Sequence, residues 1–185
     1  MTNINNLIAR IRIKINDTSS FEFQDSELLS YINEGISMLE IILLSNKAVF
    51  NISMISSAAT ICPVPDDMLE IYKVLHDKKE VLFKNIDDLT YGYYIINNNI
   101  ILPCTNTEIY YIKEFERYNL NDNITLPHIY IDYLYNFSVI KALSRLEYNM
   151  ENEKNELMQL STMIVQTALN KKSIYQLKRY NGFSL

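Results

Sequence analysis

Apolar positions along the chain change period more than once, and those changes outline its elements. Ile4, Leu7, Ile8, Ile11 and Ile15 recur at three- and four-residue spacing, with Arg10, Arg12 and Lys14 off that face. This predicts an amphipathic helix over 3–15. A polar break over 16–20 follows, with Phe21 and Phe23 after it. Asp25 reads as an N-cap. It opens a second helix, 26–45, with a stripe of Leu28, Ile32, Ile36, Leu39 and Leu43, widened by Leu29 and Ile42. Gly35 inside that helix costs about 1 kcal/mol against alanine unless a neighbour packs closely there.

Between 48 and 117 the pattern becomes β-like. Strands are predicted at 48–56 and 59–62, the second closed by Pro63 and Pro65, because proline cannot donate to a ladder. Residues 70–75 and 80–83 flank a charged turn at 77–79, a hairpin signal. Residues 93–96 and 100–102 flank Asn97, Asn98 and Asn99, and asparagine tolerates the left-handed conformation a hairpin turn needs. A last strand is predicted over 108–115. After Leu126 and Pro127 the helical period returns over 128–149, with Tyr130, Tyr133, Leu134, Phe137, Ile140 and Lys141 on one side. A polar, acidic link over 149–155 precedes a final helix striped by Leu157, Leu160, Ile164, Ala168 and Tyr175 and ended by Asn181, Gly182 and Phe183.

The expected fold is mixed and mainly α. It is a helical bundle of two N-terminal and two C-terminal helices with an inserted small antiparallel β-sheet. Residues 1–156 are expected to form one domain, and 157–185 a C-terminal helix with a basic tail.

With 48% apolar residues the chain can build a real core. Its net charge of −5 excludes a surface that is basic all over. The charge is also uneven: no acid follows Glu156, whereas Lys171, Lys172, Lys178 and Arg179 do. Subtracting those four bases leaves −9 on residues 1–170. The first residues contain no uninterrupted apolar stretch of the signal-peptide kind, and no apolar run approaches the roughly 18 residues of a membrane span. Cys62 and Cys104 do not make a disulfide framework, and buried free thiols in a reducing compartment are expected.

Candidate chemistry is sparse. Gly35, Gly92 and Gly182 are too far apart for a phosphate-cradling loop. His76 and His128 lie at no metal-ligand spacing, so exposed or locally bonded imidazoles are expected. The pairs Asp66-Asp67 and Asp87-Asp88 could hold a hard cation, but capping and solvation account for both. Neither catalytic residues, nor a metal, nor a cofactor is expected. Fourteen tyrosines, several adjacent as at Tyr93-Tyr94 and Tyr110-Tyr111, either reflect interface use or simple compositional bias.

Residues Asp25, Ser26, Glu27, Leu28, Leu29, Ser30, Tyr31, Ile32 and Asn33 carry a resemblance. An Asp, an acid, leucines, then a ring and an Asn make a stretch similar to the second-helix signature of tailed-phage head–tail adaptor proteins. An N-terminal helix and aromatic-bearing loop before it, a Pro65-Asp66-Asp67 turn, the strand over 108–115, the Leu126-Pro127 lead-in and Lys141-Ala142-Leu143 are similar too. The chain departs from the family in having no tryptophan in the loop before the second helix, and its last helix aligns poorly. The resemblance implies a structural subunit without catalytic residues, in a ring, usually dodecameric, under the portal protein. It implies a downstream neck or tail protein as a further partner and double-stranded DNA passing through the channel without sequence-specific binding. The implied location is the virion neck, after assembly in the host cytoplasm, with no membrane. Lys171, Lys172, Tyr175, Lys178, Arg179, Tyr180 and Phe183 are the expected portal-docking residues. Competing readings are a DNA-binding regulatory protein, using the basic residues of the first or last helix, and an enzyme of unknown type.

Overall fold

The computed structural model describes residues 2–84 and 91–180, with the backbone alone from 170 onward. In chain order the elements are β1 (Thr2–Asn3), α1 (Ile4–Lys14), α2 (Asp25–Ser45), β2 (Ile52–Ser57), β3 (Ile61–Pro63), β4 (Met68–His76) and β5 (Lys79–Val81). There follow β6 (Tyr94–Ile96), β7 (Asn99–Ile101), β8 (Thr107–Lys113), β9 (Asn123–Ile124), α3 (His128–Arg145) and α4 (Glu151–Tyr180). The chain divides into two compact units, one of Met1–Ala48 and Phe115–Leu185, the other of Val49–Glu114.

The first unit holds all four helices. The stripes expected of α1 and α2 are its core: Ile4, Leu7, Ile8 and Ile11, then Leu28, Ile32, Ile36, Leu39 and Leu43, are buried. α3 packs against each of the other helices. That contact explains a departure from the single stripe expected of it. The buried residues are Ile131, Tyr133, Leu134, Asn136, Ser138, Val139 and Ala142, spread around the helix rather than along one side. On α4, Ile164 and Ala168 are buried and Leu157 and Leu160 half-buried, as the pattern predicts, while Tyr175 lies beyond the described side chains. A short ladder, Thr2 to Ile124 and Asn3 to Asn123, pins the start of the chain beside the segment leading to α3. Of the described helices α2 is long and apolar enough by length and composition to cross a membrane. Its buried stripe and the ion pairs of Glu34 and Glu40 make it a core helix.

Helix ends differ from expectation by a few residues, for identifiable reasons. Asp25 is the first residue of α2 rather than its cap; Gln24 holds the cap position and makes no side-chain capping bond. The Asp25 carboxylate is taken instead by Arg12. α3 stops at Arg145, not 149, because Glu147 turns left-handed at φ 59°. The Glu147 N–H then donates to Ser144 O and the Tyr148 N–H to Leu143 O, the paired bonds of a Schellman ending. α4 begins at Glu151, within the stretch expected to be a link. The Asn149 side chain accepts from the Glu151 N–H, and Glu151 and Glu153 sit where the helix dipole favours acids.

The second unit consists of antiparallel sheets with strand orders β2-β8-β4-β5 and β3-β7-β6. Cys62, Val74, Val81, Tyr93, Ile100, Leu102 and Ile109 form its core. Both expected hairpins are present with two-residue turns, Asp77-Lys78 at φ 49° and 63° and Asn97-Asn98 at φ 48° and 58°. Two successive positive φ angles match the right-handed twist of the flanking strands. Lys79, expected in the turn, is already paired in β5. β2 starts at Ile52 rather than 48, because the Ala48 N–H donates to Leu43 O to finish α2. Cys62 is buried and Cys104 half-buried, both as free thiols.

Gly35 sits where a side chain would meet α3: an added Cβ would lie 3.1 Å from both Leu134 Cδ2 and Phe137 Cδ1. The close approach of α2 and α3 therefore offsets glycine's conformational cost. Gly35→Leu is expected to destabilise the protein by about 1–3 kcal/mol through overpacking. Urea unfolding followed by circular dichroism measures this, and an unchanged midpoint would show that α2 and α3 do not pack this closely.

Candidate functional site

Arg12 sits off the apolar face of α1, as its position predicts, yet it is not solvated: only 6% of it is exposed. Its Nη1 donates to Asp17 Oδ2 at 2.6 Å, and its Nη2 to Asp25 Oδ1 at 2.6 Å and Phe23 O at 2.9 Å. Asp17 accepts in turn from the backbone N–H groups of Phe21, Glu22 and Phe23 at 2.9, 3.1 and 3.2 Å. Burial pushes the Asp17 carboxyl up, but those three backbone donors and Arg12 outweigh it and hold the pKa below the usual carboxylate value. The loop between α1 and α2 is thus braced from inside. It tucks Phe23 into the core and displays Phe21, the most exposed of the large apolar side chains described, at 86%. The Arg145 guanidinium lies over the Phe23 ring at 5.0 Å and pairs with Glu27, which also accepts from the Tyr31 hydroxyl at 2.7 Å.

The other cations of α1 are engaged as well. Lys14 meets Glu153 of α4 at 3.2 Å, a hydrogen bond that raises the lysine pKa. Arg10 lies 4.9 Å from the centre of the Tyr135 ring, with Asp132 at 4.0 Å. α1 therefore offers no free basic face of the kind a recognition helix needs.

Within the 25–33 stretch most side chains have an internal job. Asp25 holds Arg12, Glu27 holds Tyr31 and Arg145, and Leu28 and Ile32 are core. The Asn33 amide grips the backbone of Tyr118, donating to its carbonyl at 3.0 Å and accepting from its N–H at 2.9 Å. Two turns further along α2, the buried Glu40 accepts from the Phe115 N–H at 2.6 Å and from Arg117 Nη2 at 2.7 Å. Asp25, Ser26 and Ser30 are the exposed residues of the stretch. The pattern reported the helix but not its flank, because Asn33 and Glu40 read as ordinary solvated positions.

The expected docking residues Lys171, Lys172, Tyr175, Lys178, Arg179 and Tyr180 fall on the backbone of α4, and their side chains lie outside the described residues, as does Phe183 entirely. Asp67 is occupied by Tyr111 at 3.2 Å and Lys113 at 3.2 Å, and Asp87 and Asp88 lie outside the described residues. His76 faces Asp77 at 3.4 Å and His128 is exposed at the start of α3. Among the described residues no three histidine, cysteine or carboxylate groups gather as a metal site. Tyr111 is buried, while Tyr110 lies beneath the Lys73 ammonium, 4.3 Å from its ring centre, and bonds Glu108. The adjacent strand tyrosines thus take opposite faces, as pleating requires. No protein-family model matches the chain, and no curated protein matches it significantly.

Asp17→Ala should cost about 3–5 kcal/mol at neutral pH, since it takes one of two carboxylates from a buried guanidinium and leaves three backbone donors without their acceptor. The sign with pH follows from the lowered carboxyl. Asp17 stabilises the fold fully above the unfolded-state pKa of about 4, and that contribution disappears as pH falls through the folded value below it. Denaturant titrations of both proteins from pH 7 to pH 2 should converge at the acidic end; a gap that stays constant would contradict the assignment.

Proposed function

We propose that the protein is a structural head–tail adaptor of a tailed bacteriophage, a ring subunit that sits beneath the portal, extends the DNA channel and links capsid to tail. On this reading the fold is mainly α, a helical bundle of two N-terminal and two C-terminal helices into which the 49–114 unit is inserted. The single observation that carries the proposal is the element order around the Asp25–Asn33 stretch: helix, aromatic-bearing loop, second helix, sheet unit, then two helices. Other features are compatible with it. The cations of α1 are bound by acids, and a wall lining a DNA channel must not grip phosphates, since each such contact adds affinity and drag. Phe21, presented on a braced loop, is the kind of exposed aromatic that interfaces use. The basic tail beyond an acidic body suits docking to an acidic groove. Neighbouring copies would meet through head-to-tail contacts that close into a ring. No catalytic role or cofactor is proposed.

The test is capture by the cognate portal protein. The full chain is expected to copurify with it, and a version ending at Asn170 to fold and stay free. Failure of the full chain to bind portal at micromolar concentration would remove the proposal. A shortened protein that binds as well as the full chain would leave the adaptor role but exclude the tail as the anchor. If the shortened chain stays free, Tyr175→Ala, Lys178→Ala and Arg179→Ala should each weaken binding.

A further inference from the structure

β2 is an edge strand. Among the described residues it pairs with β8 on one side and with no strand on the other. The register places Ile52 opposite Ile112, and the preceding Asn51 bonds Lys113, whose N–H donates to Asn51 O at 2.9 Å. In an antiparallel ladder the residues that exchange hydrogen bonds alternate. Asn51, Ser53, Ile55 and Ser57 therefore turn their backbone groups toward β8, and Ile52, Met54 and Ser56 turn theirs outward. The same three residues carry exposed side chains, with Ile52 46% and Met54 48% exposed.

Sheet edges are usually blunted by charge, proline or a bulge. β2 has none of these. Its sequence, Ile-Ser-Met-Ile-Ser-Ser, is uncharged, and its pairing with β8 runs without a register shift. The opposite edge of the same sheet is protected: β5 carries Lys79 and Glu80, and the chain after it bonds Tyr93 through Leu82 and Lys84.

We infer that β2 is a self-association edge, on which a second copy of this chain adds its own β2 antiparallel across a two-fold axis at Met54. The geometry is self-complementary. With Met54 opposite its counterpart, Ile52 falls opposite Ser56, so the outward-facing backbone groups of each strand meet outward-facing groups of the other. Each such pair exchanges two N–H···O bonds, about six in all. A strand with no charge meets its own copy without repulsion, whereas the β5 edge is blunted by Lys79 and Glu80 and by the bonding of the chain after it to Tyr93. The two four-stranded sheets become one continuous sheet. A two-fold contact does not close a ring, so this inference stands apart from the adaptor reading.

Sedimentation over a wide concentration range tests it with the full chain. The wild type is expected to dimerise, and Met54→Lys, which sets two ammonium groups against each other at the axis, to be monomeric with an unchanged circular dichroism spectrum. Met54→Cys is expected to give a covalent dimer under mild oxidation that the wild type does not form, because paired Cα atoms in such a ladder fall within disulfide range. A wild type that is monomeric up to hundreds of micromolar overturns the inference. So does an assembly whose size Met54→Lys leaves unchanged, or a Met54→Cys protein that fails to crosslink.

Discussion

The chain leaves its helical unit after Ala48 and must return to it at Phe115 in one register, and that return is held by two polar side chains on one flank of α2. Glu40 and Asn33 lie seven residues apart, two helical turns, and so share a side of the helix. Glu40 is only 5% exposed, and a buried carboxylate is costly unless its oxygens are satisfied. The Phe115 N–H and the Arg117 guanidinium satisfy them. Asn33 then fixes the next turn of backbone by bonding both polar groups of Tyr118. With the path of 115–118 set, Asp122 O can accept from the Ile4 N–H at 3.0 Å, β9 can pair with β1, and α3 can start at His128 and fill the centre of the unit.

A second constraint is the shortage of glycine. Helices commonly stop at a left-handed residue, and glycine is the inexpensive choice. Here α1, α2 and α3 all end in the paired Schellman bonds, yet the left-handed positions are filled by Asn16, Lys47 and Glu147. Each such residue carries strain that the paired bonds and the packing beyond them must offset. After α1 the strain is repaid at once, because Asp17 follows and its carboxylate organises the whole loop.

Several acids and bases that look like surface decoration in the sequence are internal ties. Arg12 with Asp17, Glu40 with Arg117, and Lys14 with Glu153 consume charge that a DNA-binding surface would have to leave free. Exposed apolar side chains among the described residues include Phe21 on its braced loop and Ile52 and Met54 on the β2 edge. Both places suit contact with protein.

Element type was legible wherever one side of an element faces a core. The stripes of α1 and α2 and the Asn97-Asn98 hairpin followed from periodicity and from asparagine's tolerance of positive φ. α3 was legible as a helix but not as a central one, since a helix covered from several directions has no single stripe. The second helix ends at Ser45 as its stripe predicts, but the stop at Glu147 left no mark, because glutamate does not signal a left-handed turn. The acids of 149–155 belong to a helix start and resemble a link only when the dipole is ignored. By itself the sequence determined the alternation of helical and strand segments, an acidic body and a basic tail, because these are local properties of pattern and charge. The tertiary structure alone decided that Arg12 is buried, that Asn33 and Glu40 capture a strand of chain more than seventy residues away, and which edge of the sheet stays open. Those outcomes depend on which groups meet across long stretches of sequence, and no local pattern encodes a meeting.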